Sequence, residues 1–424
     1  MKKGTLKAAI IIPTRNRAAL AENAIVSVID QRRDDACVLV SDNSTDASEA
    51  DRLSAFCRRL PAHEVHYARP SPQLPMCAHW QWALEQAFRL PDVSHFAYLT
   101  DRTVFKPGKL GVLLDHCHRF PDSVISYHQD VINDIAEPLK LEQAAWTGSL
   151  FRLESSDLLN ATARMQHRFY DCLPRMLNSI APRGVLEAII ARYGDVFVST
   201  APDLCFAYRF LERFDSLLYL DQALMTQYAL HRSNGMSQAL GKATKDHKDF
   251  MASIDGEVIN YASPIPGLNT NMNTVVHEYC LVKRLAQRKR FPEIDVGNYM
   301  EYVRQEVAAM DPSPTKSHMN NLVAAYRRTL PQQTRRLNHE WHGLPSQVSE
   351  HASVEAAMEF ANQQPRSRNW SASNVETMTD PTLVVGAQGA LILYLRFLLV
   401  RAKKGHERFR QALDRHVMWR FRSA

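Results

Sequence analysis

The chain has 424 residues, 45% of them hydrophobic and 23% charged, and a formal net charge of +6. That length exceeds one ordinary core and predicts two or three domains, while the composition is that of a soluble globular chain. Seven scattered cysteines (Cys37, Cys57, Cys77, Cys117, Cys172, Cys205 and Cys280) form no CxxC pair and are odd in number. They argue against a disulfide scaffold and a zinc site, and predict a reducing, cytoplasmic setting. MKKGTLKAAIIIP has too short an apolar run before Pro13 to read as a signal peptide.

Ala8 to Ile12 is a continuous apolar run, as suits a strand buried on both faces of a parallel sheet. Pro13 stops the ladder, and Thr14, Arg15, Asn16 and Arg17 follow at the strand's carboxyl end. Leu20, Ala24, Ile25 and Val28 then recur at helical spacing. Val38, Leu39 and Val40 predict a second strand, ending in Ser41, Asp42, Asn43, Ser44, Thr45 and Asp46. The unit is βαβ, with two polar strand ends side by side where ligands of open α/β sheets bind. The basic end suits phosphate, and the acidic, hydroxyl-rich end suits hydrogen bonds from a base or ribose. The pattern points to a nucleotide.

Val65 to Tyr67 reads as a short strand, and Cys77 to Leu90 as a helix through Trp80, Ala83, Leu84 and Ala87. His95 to Leu99 predicts a strand with Thr100-Asp101-Arg102-Thr103 at its end, and Pro107 the start of a helix carrying Leu110, Val112, Leu113 and Leu114. Val124 to Tyr127 follows as a strand. Leu173 to Arg192 is helical with an interruption at Ala181-Pro182-Arg183-Gly184, Asp195 to Ser199 is a strand, and Ala201-Pro202-Asp203 opens a helix. After about Lys242, amphipathic helical patterns dominate: Asn273 to Lys289, Asp295 to Met310 and Ser317 to Thr329. Arg366 to Asp380 is polar and linker-like. Thr382 to Val400 is apolar apart from Gln388 and Arg396. From Arg396 onward nine Arg or Lys stand against Glu407 and Asp414, so the positive charge sits in the tail and the body is near neutral.

The segments IIIPTRNR, VLVSDNSTD, PQLPMCAHWQWALEQA and FAYLTDRTVFKPGKL resemble the family 2 glycosyltransferases of the GT-A fold over about residues 8 to 240. The resemblance implies an α/β domain, a Rossmann-like mixed sheet with flanking helices, over residues 1–242. A helical appendage at 243–380 and a basic helical tail at 381–424 complete the expected organisation. It also implies a nucleoside diphosphate sugar donor, most simply UDP-linked, and a glycan or lipid-linked acceptor in bacterial polysaccharide assembly. Donor contacts then fall on Pro13, Thr14, Arg15 and Arg17, on Asp42, Asn43 and Asp46, on Asp101 and Arg102, and on the late basic pair His231 and Arg232. Asp203, in TAPDLCFAYRFL, takes the place of the base that accepts the acceptor's proton during inverting displacement. Asp101 takes the place of the DxD ligand to Mg²⁺ or Mn²⁺.

This chain departs from the family there, because Thr100-Asp101-Arg102-Thr103 stands where relatives carry a run such as GDDD. One carboxylate with water and phosphate holds the cation, or a guanidinium partly replaces it, or activity is weak or lost. The competing readings are structural: Asp42 and Asp46 as caps of the next helix, Asp203 as a first-turn acid, Trp80 and Trp82 as core, His231-Arg232 as a surface turn. Trp146-Thr147-Gly148, before an expected apolar helix, reads as acceptor pocket or core. The tail reads as an interfacial membrane element at the inner face, a partner-docking helix or a helix packed on the body, with no nucleic-acid motif. A non-catalytic sugar-nucleotide binder or scaffold is the rival function.

Overall fold

In a computed structural model, the described residues are 6–144, 148–165, 170, 172–198, 200–233, 235–237, 261–289, 291–331, 346–362 and 384–385. The first half contains β1 (Ala8–Thr14), α1 (Ala18–Ile29), β2 (Ala36–Asp42), α2 (Ala47–Cys57), β3 (Val65–Ala68), α3 (Met76–Phe88) and β4 (His95–Tyr98). Then come β5 (Thr103–Phe105), α4 (Lys109–Arg119), β6 (Ile125–Asn133), β7 (Leu139–Ala144), β8 (Leu150–Glu154) and α5 (Ser155–Ala163). β9 (Ser179–Pro182), α6 (Arg183–Tyr193), α7 (Pro202–Arg213) and β10 (Ser216–Gln227) complete the sheet region. Beyond it lie α8 (Asn271–Leu285), α9 (Val296–Ala309), α10 (Pro314–Thr329), β11 (Ser346–His351), α11 (Val354–Asn362) and β12 (Val384–Val385).

The strands form one mixed sheet in the order β12-β8-β10-β6-β9-β4-β1-β2-β3, with β5, β7 and β11 off that path. β1 is parallel to both β2 and β4, and β9 is antiparallel between β4 and β6. Side chains of β1 alternate between two cores, as the period of a strand requires. Ala9 and Ile11 enter one core with Trp80, Tyr98 and Phe206, while Ala8, Ile10 and Ile12 enter the other with Ile25, Val28 and Leu113. Helices therefore cover both faces, the mixed α/β architecture expected. The first core also takes in Met272, Val276 and Tyr279 of α8, Tyr299 and Val303 of α9, and Met319 of α10. Fully burying each such side chain contributes roughly 1.5–3 kcal/mol.

Four local readings need correction. Pro107 does not start α4; Gly108, at φ +72°, is its N-cap, a left-handed position that favours glycine. The segment from Leu173 contains β9, a four-residue strand inside a window whose apolar spacing imitates a helix. Asp195 to Ser199 is not a strand over its described residues: Val196 and Phe197 are buried, but Val196 N–H bonds to the Gln81 side chain, 2.9 Å, instead of a ladder. Gly148 leads into β8 rather than directly into a helix. As expected, the described residues after 242 are mainly helical, with the short strands β11 and β12 beside them. Trp146, the Arg366–Asp380 linker and, apart from residues 384–385, the 381–424 tail lie outside the described residues.

Candidate functional site

The carboxyl ends of β1 and β2 are in register, with Thr14 opposite Asp42. The Asn43 N–H donates to the Thr14 carbonyl at 2.9 Å, so the two tips are joined. Asn16 strengthens the junction. Its φ of +55° lies in the left-handed region that asparagine tolerates better than most residues. That turn aims its side-chain oxygen at the N–H groups of Thr45 and Asp46, each at 2.9 Å, and its amide at the Thr45 hydroxyl. Pro13 is buried within β1 and, contrary to the sequence expectation, does not stop the ladder: it stands opposite Ser41, and Thr14 still pairs with Asp42 beyond it.

Asp42 is fully buried. One of its oxygens accepts from the Ser44 N–H at 2.9 Å and the other from the Tyr67 hydroxyl at 2.7 Å. This differs from an exposed base-contacting carboxylate: Asp42 lies beneath the rim and braces Tyr67 and Ser44. His79, also buried, has its Nε2 2.7 Å from the Ser41 hydroxyl, and burial lowers its pKa to about 4, keeping the ring neutral. Asn43 is turned towards the 69–75 loop, exchanging bonds with the Leu74 carbonyl and N–H at 2.7 and 2.9 Å. Asp46 caps α2 through Ser48, as the structural reading expected. Glu49 reaches back to the Ala18 N–H at 2.6 Å and places an acidic group at the start of α1.

The β4 tip lies beside them. Asp101, 3% exposed, accepts from the Thr14 hydroxyl at 2.9 Å and pairs with Arg17 at 3.3 Å. Arg102 points inward, to the Tyr228 carbonyl at 3.5 Å and the Ser233 hydroxyl at 3.3 Å, and so anchors the 228–233 turn. That turn is also fastened to the β1 tip: Arg17 donates to the Arg232 carbonyl at 2.8 Å, and Arg232 donates to the Asn16 carbonyl at 3.3 Å. His231 is exposed and faces Asp134 at 2.9 Å. Arg15 is half-buried, and its Nε has no hydrogen-bond partner among the described residues. Arg69, exposed, reaches the Ser44 carbonyl at 2.8 Å. The accessible rim is therefore cationic (Arg15, Arg17, Arg69, Arg232) above two buried carboxylates.

Asp203 occupies the first turn of α7 with its side chain 16% exposed. Burial raises its pKa, opposed by the Arg175 guanidinium 4.0 Å away and by the Leu204 N–H. The start of α7 is held by Glu278 of α8. This fully buried carboxylate accepts from the Thr200 and Ala201 N–H groups at 3.2 and 3.0 Å. α3 and α7 are in contact, and burial raises the Cys77 thiol pKa, with Glu278, Cys205 and Asp203 adding to the effect. Trp80 is core, stacked on Tyr98 at 4.6 Å.

Sequence reasoning named the strand-tip residues, Asn16 among them without a role, but missed Tyr67, His79, Arg69 and Glu278. Tyr67 at the end of the next predicted strand was a usable signal; Glu278, inside an ordinary amphipathic pattern, offered none. As for a metal, among the described residues no group of three His, Cys, Asp or Glu is gathered to hold an ion. Both Asp101 oxygens already have partners, and Thr103 pairs with the Thr100 hydroxyl at 2.7 Å, so this donor set does not fit a divalent cation.

Residues 9–175 match the family model described as Glycosyl transferase family 2. No curated protein matches the chain significantly. Among solved structures, that of S. aureus TarS 1-349 in complex with UDP-GlcNAc is 14% identical, with a TM-score of 0.43, over 80% of this chain and 98% of that one. A longer S. aureus TarS structure is 13% identical at a TM-score of 0.38 over 76% of this chain, and the match spans only 53% of that chain. GalNAc-T7 with UDP, GalNAc and Mn²⁺ is 11% identical at a TM-score of 0.40, over 54% of this chain and 44% of that one. Scores this low carry no argument about chemistry. The match to glycosyl transferase family 2 thus covers the segment that carries the tips of β1, β2 and β4.

Proposed function

We propose that the protein transfers a hexose-type unit from a nucleoside diphosphate sugar, UDP-linked in the simplest case, to a glycan or lipid-linked acceptor with inversion. The observation that carries this reading is the joining of three strand tips into one basic-rimmed site within the family segment. An acceptor hydroxyl attacks the anomeric carbon as the bond from that carbon to the phosphate oxygen breaks. Asp203 takes the hydroxyl's proton, and the departing diphosphate keeps the electron pair under the rim's positive charge. Thr14 and Asp101 set the angle of Arg17, and Asp42 supports the nucleoside side through Tyr67 and Ser44. Surface polysaccharide assembly is the setting that the family resemblance favours.

The truncated DxD run favours one rival, a sugar-nucleotide binder without turnover. A donor panel with matched transfer and hydrolysis assays separates the two. Asp203→Asn should keep donor affinity and reduce transfer by about 10²-fold or more, the size of a general-base contribution. Donor binding with no turnover in the unaltered protein, untouched by Asp203→Asn, would establish the rival.

A further inference from the structure

The family's DxD motif implies a divalent cation between protein and diphosphate, and the residues here are arranged against it. The one carboxylate at the β4 tip is buried and carries Arg17 at 3.3 Å, so an ion approaching its free lone pairs meets a fixed positive charge. Arg102 and Thr103, which follow it, offer no second carboxylate, and Asp42 is enclosed with both oxygens engaged. The accessible groups are guanidiniums, planar donors that match phosphate oxygens in pairs and stay charged at every physiological pH. Arg15 has an Nε without a partner among the described residues, and Arg17 and Arg232 are tied to each other's tip of the site.

We propose that this site binds the diphosphate of a nucleoside diphosphate through Arg15, Arg17 and Arg232 without a protein-held divalent cation. The inference rests on the proposed donor class, and a binding experiment separates the two. UDP affinity is measured by calorimetry on the full chain in EDTA, and again with excess Mn²⁺ or Mg²⁺. The expected result is a Kd within about twofold across the buffers, with Arg17→Ala raising Kd about tenfold or more in EDTA, a loss of one charged contact. Should Arg17→Ala unfold, as thermal melting would reveal, Arg15→Gln should raise Kd in the same direction. Binding that appears only with the cation and vanishes in Asp101→Asn would overturn the proposal and leave the donor class standing. No UDP binding in any buffer would overturn both.

Discussion

Asn16 and Asp42 show what a single residue contributes at the strand tips. Asn16 was visible in the sequence as part of a polar turn, but its work depends on a left-handed φ that no periodicity encodes. Asn16→Ala loses the side-chain bonds to Thr45 and Asp46 and puts a Cβ residue with no local hydrogen bonding at φ +55°. The expected cost is about 2–3 kcal/mol in chemical denaturation, from lost bonds and the left-handed penalty together; a loss below a few tenths would refute the clasp. His79 gives a pH signature. Its folded pKa of about 4 lies below the ordinary imidazole value of 6.5, so the unfolded chain binds its proton first as pH falls. Its contribution is whole above pH 6.5 and declines towards pH 4, by up to about 1.4 kcal/mol per pH unit. The stability advantage of the unaltered protein over His79→Gln should therefore shrink across that window, and a constant difference would contradict a neutral His79.

At the scale of elements, the βαβ opening was legible because buried parallel strands and an amphipathic helix have distinct periods. β9 and β10 were not, since one is four residues long and the other, SLLYLDQALMTQ, carries Asp221 and Gln222 where its register with β6 shifts. The first turn of α7 depends on residues far away in sequence. Glu278→Gln keeps an acceptor for Thr200 and Ala201, whereas Glu278→Leu leaves those N–H groups unpaired. Each unpaired group costs about 1–3 kcal/mol. Transfer should survive in Glu278→Gln and fall in Glu278→Leu along with the melting temperature; equal loss in both would show that the charge, not the bonding, matters. Arg175 lowers the Asp203 pKa against its burial. Arg175→Gln should consequently move the acid limb of the kcat/KM profile to higher pH, because the base would lose its proton less readily. An unmoved limb would argue against Asp203 as the titrating group.

Across the whole molecule, α8, α9 and α10 extend the core on one face of the sheet, so the helical region beyond residue 242 and the sheet share buried side chains. The change from strands to helices was plain in the sequence; that the later helices would brace α7, which carries Asp203, was not, because such contacts depend on tertiary packing alone. No helix among the described residues is long and apolar enough to cross a membrane. Hydrogen–deuterium exchange of the full chain with and without UDP, read at residues 13–17, 42–46 and 228–233, tests the shared strand-tip site most directly. The account predicts protection concentrated in those three segments, lost in Arg17→Ala; protection confined to other parts of the sheet, or no change at saturating ligand, would contradict it.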